Sequence, residues 1–484
     1  MQVQKKSLKI NFIMNSILTM SSFLFPLITF PYVSRILLPL GTGKVSFATS
    51  VISYFAMFSQ LGIPVYGIRA CAKVRDDKAV LSKTFQELMI INGVTSLITY
   101  LFFLLTLFTV PRLQQEKPLF LIVSMTILLN TIGVEWLYKS LEQYVYIAVR
   151  SIFFKILALA ATFLLIHQES DYVLYGAISI FAASASNIFN FFHMHKFVSL
   201  KPVGNYHLKR HLHAVLIFFA MSCATTVYTH LDTVMLGFLK TDTDVGYYNA
   251  AVKIKSILVS IVTSLGVVLL PRASYYIEHR QQSKFFNVSE KALNFVCLLS
   301  IPLMVYFLLF AEEGILFLSG TAYLPAILPM QIIMPTLLLI GLTNVMGMQM
   351  LVPLGKEKIV LYSEVFGAIL NLSLNILLIP RFSCSGAAFG TLAAEFLVFL
   401  IQFLVLKKDV IKMYRSIPVF PIILGVLIGS SVSFPVKFLK IPVFFTLLLS
   451  AILFWGIYMV ILLCFKIPLI LDIKNQFLKS LKLK

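Results

Sequence analysis

The sequence predicts an all-α polytopic membrane protein of about fourteen transmembrane helices. Two six-helix lobes, related by a pseudo-twofold axis along the membrane normal, surround a central cavity, and two extra helices follow. Three observations predict this. The chain of 484 residues is 59% hydrophobic and only 12% charged, with a mean hydropathy of +0.91. A soluble domain keeps about a quarter of its residues charged, so this chain cannot cover a water-facing surface and its main solvent is lipid. Apolar runs of spanning length recur from end to end, and basic residues alternate in abundance from one connection to the next.

Runs of about twenty apolar residues fall at 10–34, 45–67, 86–110, 118–137, 145–166, 172–194, 213–238, 246–270, 292–311, 324–352, 359–379, 385–406, 417–436 and 441–465. The tenth is long enough to contain a loop, and the thirteenth is punctuated by prolines. The first is too long for a signal peptide and lacks a small-residue cleavage site after it, so it reads as a retained helix.

The basic residues set the orientation. The amino end, the even-numbered connections and the tail hold 29 of the 40 Lys and Arg, and the odd-numbered connections hold 8. Both termini are therefore expected in the cytoplasm of a bacterial cell membrane. The stretch LGIPVYGIRACAKVRDD (61–77) is then a cytoplasmic helix exit, with Pro64 and Gly67 loosening the helix before Arg69, Lys73 and Arg75 reach water.

The same charge pattern excludes other classes. A net charge of +20 would suggest nucleic acid in a soluble domain, but basic loops against an anionic leaflet account for it here. The five cysteines, Cys71, Cys223, Cys297, Cys384 and Cys464, include no CxxC and read as small apolar residues rather than metal ligands. His207 and His211 have a helical i,i+4 spacing that can bind a metal, yet no carboxylate or cysteine is close in sequence, so they read as a solvated loop. GTGK at 41–44 lacks P-loop spacing. No loop exceeds about 25 residues, too short for a soluble domain of the usual 50 or more. No cofactor is implied, and no constellation of an enzyme appears.

Internal repeats set the architecture. At an offset of 203, Gly43, Ala48, Ser53, Arg69 and Ala70 align with Gly246, Ala251, Ser256, Arg272 and Ala273. At an offset of 213, Leu157, Leu159, Leu165 and Ile166 align with Leu370, Leu372, Leu378 and Ile379. Runs 1–6 and 7–12 thus read as two copies. Each has an even number of spans, so both sit the same way up. The expected divisions are a lobe at 1–198, a second lobe at 199–409, and two added helices with a basic tail at 410–484.

The segments PYVSRILLPLGTGKVSFA (31–48), LGIPVYGIRACAKVRDD (61–77), EWLYKSLEQYVYIAVRSIFFKI (135–156), LDTVMLG (231–237), VGYYNAAVKI (245–254) and LLPRAS (269–274) together resemble the bacterial oligosaccharide-lipid flippases. These are the Wzx-like polysaccharide-biosynthesis branch of the multidrug/oligosaccharidyl-lipid/polysaccharide exporter superfamily. The resemblance covers roughly runs 1–12. It implies two six-helix lobes in a V around a cationic cavity. The implied cargo is an undecaprenyl-pyrophosphate-linked sugar repeat unit, carried from the inner to the outer leaflet. The implied partners are this lipid-linked glycan, membrane lipids, and the polysaccharide polymerase and glycosyltransferases of the same pathway. The lysine-rich composition suggests a capsule rather than an O-antigen.

Ionisable residues inside spans are costly and by default functional. Lys155 lies near the middle of the fifth run, Asp232 in the outer part of the seventh, Lys253 and Lys255 in the eighth, Glu364 near the inner end of the eleventh and Glu395 near the middle of the twelfth. Lys253 and Lys255 lie about 200° apart around a helix and cannot both face one cleft. Lys155, Lys253, Asp232, Arg35, Arg69 and Arg272 are the candidate cavity residues, and Glu395 and Asp232 the candidates for ion coupling. For each, the plainer alternative is a structural ion pair or a snorkelling side chain. Asp232 and Lys253 each lie roughly 9–11 Å below the outer ends of consecutive runs, and opposite charges at one depth are expected to pair. A drug or cation exporter would instead show an acid-rich cavity, and a polysaccharide polymerase a large external loop.

Overall fold

The computed structural model describes residues 8–471. Lys5, Lys6 and the tail lysines from Lys474 onward, counted among the basic termini, lie outside the described residues. All regular secondary structure among the described residues is helical. The chain divides into two compact units, Met1–Gly246 and Tyr247–Lys484.

The first unit contains α1 (Leu8–Gln60), α2 (Ile63–Ala72), α3 (Lys78–Thr109), α4 (Pro111–Gln114), α5 (Lys117–Gly133), α6 (Glu135–Ser140), α7 (Tyr144–Leu165), α8 (Tyr172–Ile180), α9 (Asn187–His193), α10 (Lys209–Leu239) and the first residues of α11 (Asp242–Glu278). A π-helical turn, Phe181–Ala185, joins α8 to α9. The second unit contains the rest of α11, then α12 (Gln282–Leu309), α13 (Ala311–Ser319), α14 (Ile327–Ile333), α15 (Thr336–Thr343), a π-helical stretch Asn344–Leu351, α16 (Glu357–Tyr414), α17 (Val419–Ser433) and α18 (Val443–Cys464).

Every one of the fourteen apolar runs falls on helix. By length and apolarity, 11 helices among the described residues can cross a membrane, or up to 12 if one bent pair is a single span. That pair, Thr321–Ile333 and Thr336–Leu351 with a bend of 44°, is the tenth run, where the sequence suggested a loop. The count differs from fourteen because two pairs of runs are joined without intervening coil. Runs 1 and 2 lie on the 53-residue α1, continued by α2 after a two-residue break. Runs 11 and 12 lie on the 58-residue α16. Each long helix is interrupted by one non-helical residue, Leu38 (φ 55°, ψ −179°) and Ser383 (φ 49°, ψ −130°). Positive φ at a non-glycine residue costs about 1–3 kcal/mol. A straight 53-residue helix would measure about 80 Å, far beyond the roughly 30 Å of a hydrocarbon core.

The 61–77 stretch departs from its expected form. The break comes earlier, at Leu61 and Gly62, both with positive φ. Pro64 then sits in the first turn of α2, where a missing N–H costs nothing. Gly67 does not loosen the helix: it lets the Trp136 ring approach so closely that an added Cβ would lie 2.7 Å from it. Asp77 caps α3, accepting from the backbone N–H of Ala79 and Val80.

The interior of the first unit has two apolar clusters. Ile63, Leu81, Phe85, Trp136, Leu137, Tyr138, Ile147, Met194 and Val215 gather where α2, α3, α6, α7 and α10 meet. Val33, Leu37, Ala158, Ile166 and Ile178 join α1 to α7 and α8. In the second unit α17 and α18 are fastened to α12 and to one another. The Tyr458 hydroxyl donates to the Leu298 carbonyl at 2.7 Å and that of Tyr306 to the Leu447 carbonyl at 3.0 Å. Lys437 pairs with Glu313 at 3.2 Å beside the Phe310 ring.

Candidate functional site

Lys155 is the centre of the candidate site in the first unit. It occupies the middle of α7, about 15 Å from either end of that helix. The side chain is half-buried. Its ammonium donates to Ser21 Oγ and to Ser22 Oγ on α1, each at 2.9 Å. Among the described residues no carboxylate lies within ion-pair distance of it. Neutral hydroxyls rather than a directly paired carboxylate hold the cation in place, which suits reception of an anion.

One and a half turns back on α7, Arg150 is buried, and its Nε and Nη1 have no hydrogen-bond partner. Its guanidinium stands 5.7 Å from the Tyr146 ring centroid. Tyr146 in turn stacks on His193 at 4.4 Å and on Tyr138 at 5.2 Å. Glu135, at the left-handed break after α5, pairs with Lys139 at 2.8 Å. Nearby, the Asn130 side-chain Oδ1 accepts from Asn187 Nδ2 and Ser184 Oγ at 3.1 and 3.2 Å, on the π-turn side of α9. A π-turn re-aims side chains in this way without ending the helix.

A third cluster ties the long connection before α10 to α3. The Glu87 carboxylate is fully buried. It accepts from the His207 backbone N–H at 2.8 Å, from Arg210 Nε and Nη2 at 3.0 and 2.5 Å, and from His211 Nε2 at 2.8 Å. With Nε2 donating, His211 Nδ1 accepts from the Tyr66 hydroxyl at 2.8 Å. Gln86 donates to the carbonyls of Ser199 and Lys201, and accepts from Val203 N–H and the Tyr206 hydroxyl. His207 and His211 thus serve this carboxylate rather than forming a pair of their own.

The remaining candidates are placed as follows. Asp232 is buried on α10 in the first unit. Arg35 is exposed and donates back to the Pro31 carbonyl at 2.5 Å. Arg69 is exposed in the last turn of α2. Lys253 and Lys255, both half-buried, and Arg272, exposed, lie on α11 in the second unit. Glu395 is buried on α16, in an inward stripe with Thr391 and Gln402. Thr391 meets the Tyr248 hydroxyl at 3.1 Å, and Gln402 donates to Ser363 at 3.1 Å. Glu364 is half-buried on the same helix. The structure brings Lys155 together with the two serines. The sequence reading assigned no role to Arg150 and Glu87. Each stands close to the start of an apolar run, and that position was the only available signal.

A family described as polysaccharide biosynthesis protein matches residues 8–277, more than half of the chain. The chain belongs to this family. A second family, MatE, matches residues 218–377. Among curated relatives of this polysaccharide biosynthesis protein, the "Putative O-antigen transporter" of Escherichia coli (strain K12) is 26% identical over 400 residues, covering 82% of this chain and 96% of that one. Among solved structures, "Lipid II flippase MurJ, inward closed conformation" superposes with a TM-score of 0.73 at 19% identity, covering 95% of this chain and 100% of that one. An inward-facing multidrug resistance MATE family transporter of the MOP superfamily gives 0.61 at 13% identity, covering 84% of this chain and 99% of that one. These two likenesses establish the fold.

Proposed function

We propose that this polysaccharide biosynthesis protein is a flippase, not an enzyme. Its cargo is an undecaprenyl-pyrophosphate-linked repeat unit of a surface polysaccharide, moved from the inner to the outer leaflet by alternating access. The family match over residues 8–277 carries the reading. The relative named as an O-antigen transporter and the MurJ fold support it. The chemistry agrees. A glycan and a pyrophosphate need a polar route across about 30 Å of hydrocarbon, the isoprenoid tail stays in lipid, and cationic side chains receive the pyrophosphate by charge-assisted hydrogen bonds. In this proposal Lys155, Lys253, Arg35, Arg69 and Arg272 attract the anion, and Asp232 and Glu395 are available for ion coupling. Each broken helix, α1 and α16, counts as two crossings, which gives fourteen spans with both termini in the cytoplasm. Polymerase and glycosyltransferases of the same pathway are the proposed partners.

The MatE match over residues 218–377 favours one alternative, a drug or cation exporter. Purified protein in vesicles separates the two. A lipid-linked oligosaccharide should become accessible to an impermeant glycosidase without ATP, while cationic dyes should not be moved. Lys253→Ala should abolish this flipping and Asp232→Asn should impair it less, because the lysine remains for the anion. Strict dependence on ATP, or dye transport alone, would refute the proposal.

Orientation has its own test. Lys78 and Glu312 are both exposed. A cysteine at Lys78 in intact cells should be shielded from an impermeant thiol reagent, and one at Glu312 should react. The reverse labelling would overturn the orientation.

A further inference from the structure

Arg150 is a buried cation that its own chain leaves without an answering charge. It is 8% exposed, and its Nε and Nη1 are enclosed with no hydrogen-bond partner. Among the described residues it forms no ion pair. The Glu135 carboxylate acts on it only from a distance, and is itself bonded to Lys139 at 2.8 Å. The hydroxyls around it are taken: Tyr146 donates to the Phe189 carbonyl at 3.3 Å and Tyr138 to the Asn190 carbonyl at 2.8 Å. His193, stacked on the Tyr146 ring, has a buried Nδ1 that is also without a partner.

A buried ion is costly unless it is both paired and hydrogen-bonded. A water would satisfy the N–H groups and leave the charge, whereas an oxyanion answers both. Depth narrows the source of that oxyanion. Arg150 lies about 9 Å along α7 from Tyr144. Its side chain reaches back toward the start of the helix, to 5.7 Å from the Tyr146 ring centroid. That sets the guanidinium beside the first turns of a spanning helix, where hydrocarbon gives way to lipid headgroups. The approach from lipid is apolar. Val149 and Phe153 on α7, and Phe189 and Phe192 on α9, are exposed. Phe154 joins the two helices, 5.5 Å from the Phe189 ring.

We propose that Arg150 binds the phosphate of an anionic phospholipid in the leaflet at the Tyr144 end of α7, the inner leaflet in the proposed orientation. The phosphate oxygens accept from Nε and Nη1, and the acyl chains lie along Val149, Phe153, Phe189 and Phe192. This lipid is a resident of the first unit and not cargo. Lys155 is held by Ser21 and Ser22 on α1, about 140° around α7 from Arg150. The site does not depend on the flippase reading.

The test uses the full chain, stripped of lipid in a neutral detergent. Phosphatidylglycerol is the probe, with phosphatidylcholine and inorganic phosphate as controls. Native mass spectrometry reads the lipid retained, and thermal unfolding reads stability. The unaltered protein should retain phosphatidylglycerol and melt higher with it than with phosphatidylcholine. Arg150→Gln should weaken that binding roughly tenfold or more, the loss of a charge-assisted hydrogen bond. Without lipid, Arg150→Gln should melt at least as high as the unaltered protein, because it removes a charge with no counter-charge. That result also shows the variant to be folded. Lys155→Ala should keep the response to phosphatidylglycerol. If Arg150→Gln melts lower without lipid, by a margin that phosphatidylglycerol leaves unchanged, Arg150 only braces the Tyr146 ring and the site is refuted. Equal stabilisation by inorganic phosphate would assign the site to a soluble anion and refute the lipid. A response lost in Lys155→Ala would place the lipid at the cargo centre and refute a separate site. The measurement needs no cargo, so its failure leaves the flippase reading standing.

Discussion

Lys155→Ala is expected to lower transport by roughly a hundredfold while leaving the protein in the membrane and at least as stable as before. The sign of the stability effect follows from position. A lysine near the middle of a span costs about 2.5–3.5 kcal/mol, and its hydrogen bonds to Ser21 and Ser22 return only part of that. Removing it relieves a cost. The transport effect has the opposite sign, because a hydrogen bond to a charged group contributes about 1.5–3 kcal/mol. The control is Ser21→Ala with Ser22→Ala. If Lys155 receives the cargo, the serine pair should matter much less than the lysine. If the lysine only braces α7 against α1, both variants should lose stability together and transport should fall in proportion. Thermal unfolding in detergent, alongside flipping in vesicles, distinguishes the two results.

Glu87→Ala is expected to be the most destabilising single substitution in the first unit, by about 3–5 kcal/mol, because it strands buried partners of a charged cluster. The carboxylate is fully buried and is bonded by His207, Arg210 and His211. Glu87→Gln should cost less, since the amide oxygen still accepts. Arg210→Ala should also cost less, because its side chain is 45% exposed and can be replaced by water. A melting temperature unchanged in Glu87→Ala would show that the connection from 199 to 208 is held by Gln86 alone.

The spans were legible because lipid imposes a length and a composition on every crossing, and fourteen apolar runs meet both. Lys155 was legible for the same reason: a cation in the middle of SIFFKILALAATF has no polar neighbour in sequence to explain it. Glu87 was not. It stands beside Gln86 at the start of the third run, where a charge looks like the end of a loop, and its partners lie over 120 residues away. Arg150, at the start of the fifth run, was no more legible, although folding buries it against Tyr146. The breaks at Leu38 and Ser383 fall in the gaps between runs 1 and 2 and between runs 11 and 12, but the sequence did not single out the residue that turns. Neither residue is a glycine, and a positive φ there is imposed by the packing of the two half-helices rather than chosen by the residue. The histidine spacing at 207 and 211 was visible, but its purpose depended on a carboxylate brought in from α3.

The Glu87 cluster also orders events on the ribosome. The carboxylate enters its final position only with Arg210 and His211, which follow it by 123 and 124 residues. At 5–20 residues per second, synthesis takes about 6–25 s to cover that interval. Throughout it the nascent chain holds α3 with a charge that has no counter-charge, and a bare carboxylate keeps to water. The beginning of α3 therefore stays at the membrane surface, and the helices made meanwhile, α5 through α9, insert beside a bundle that is not yet closed. The arrival of α10 brings Arg210 and His211 to the carboxylate and completes the cluster.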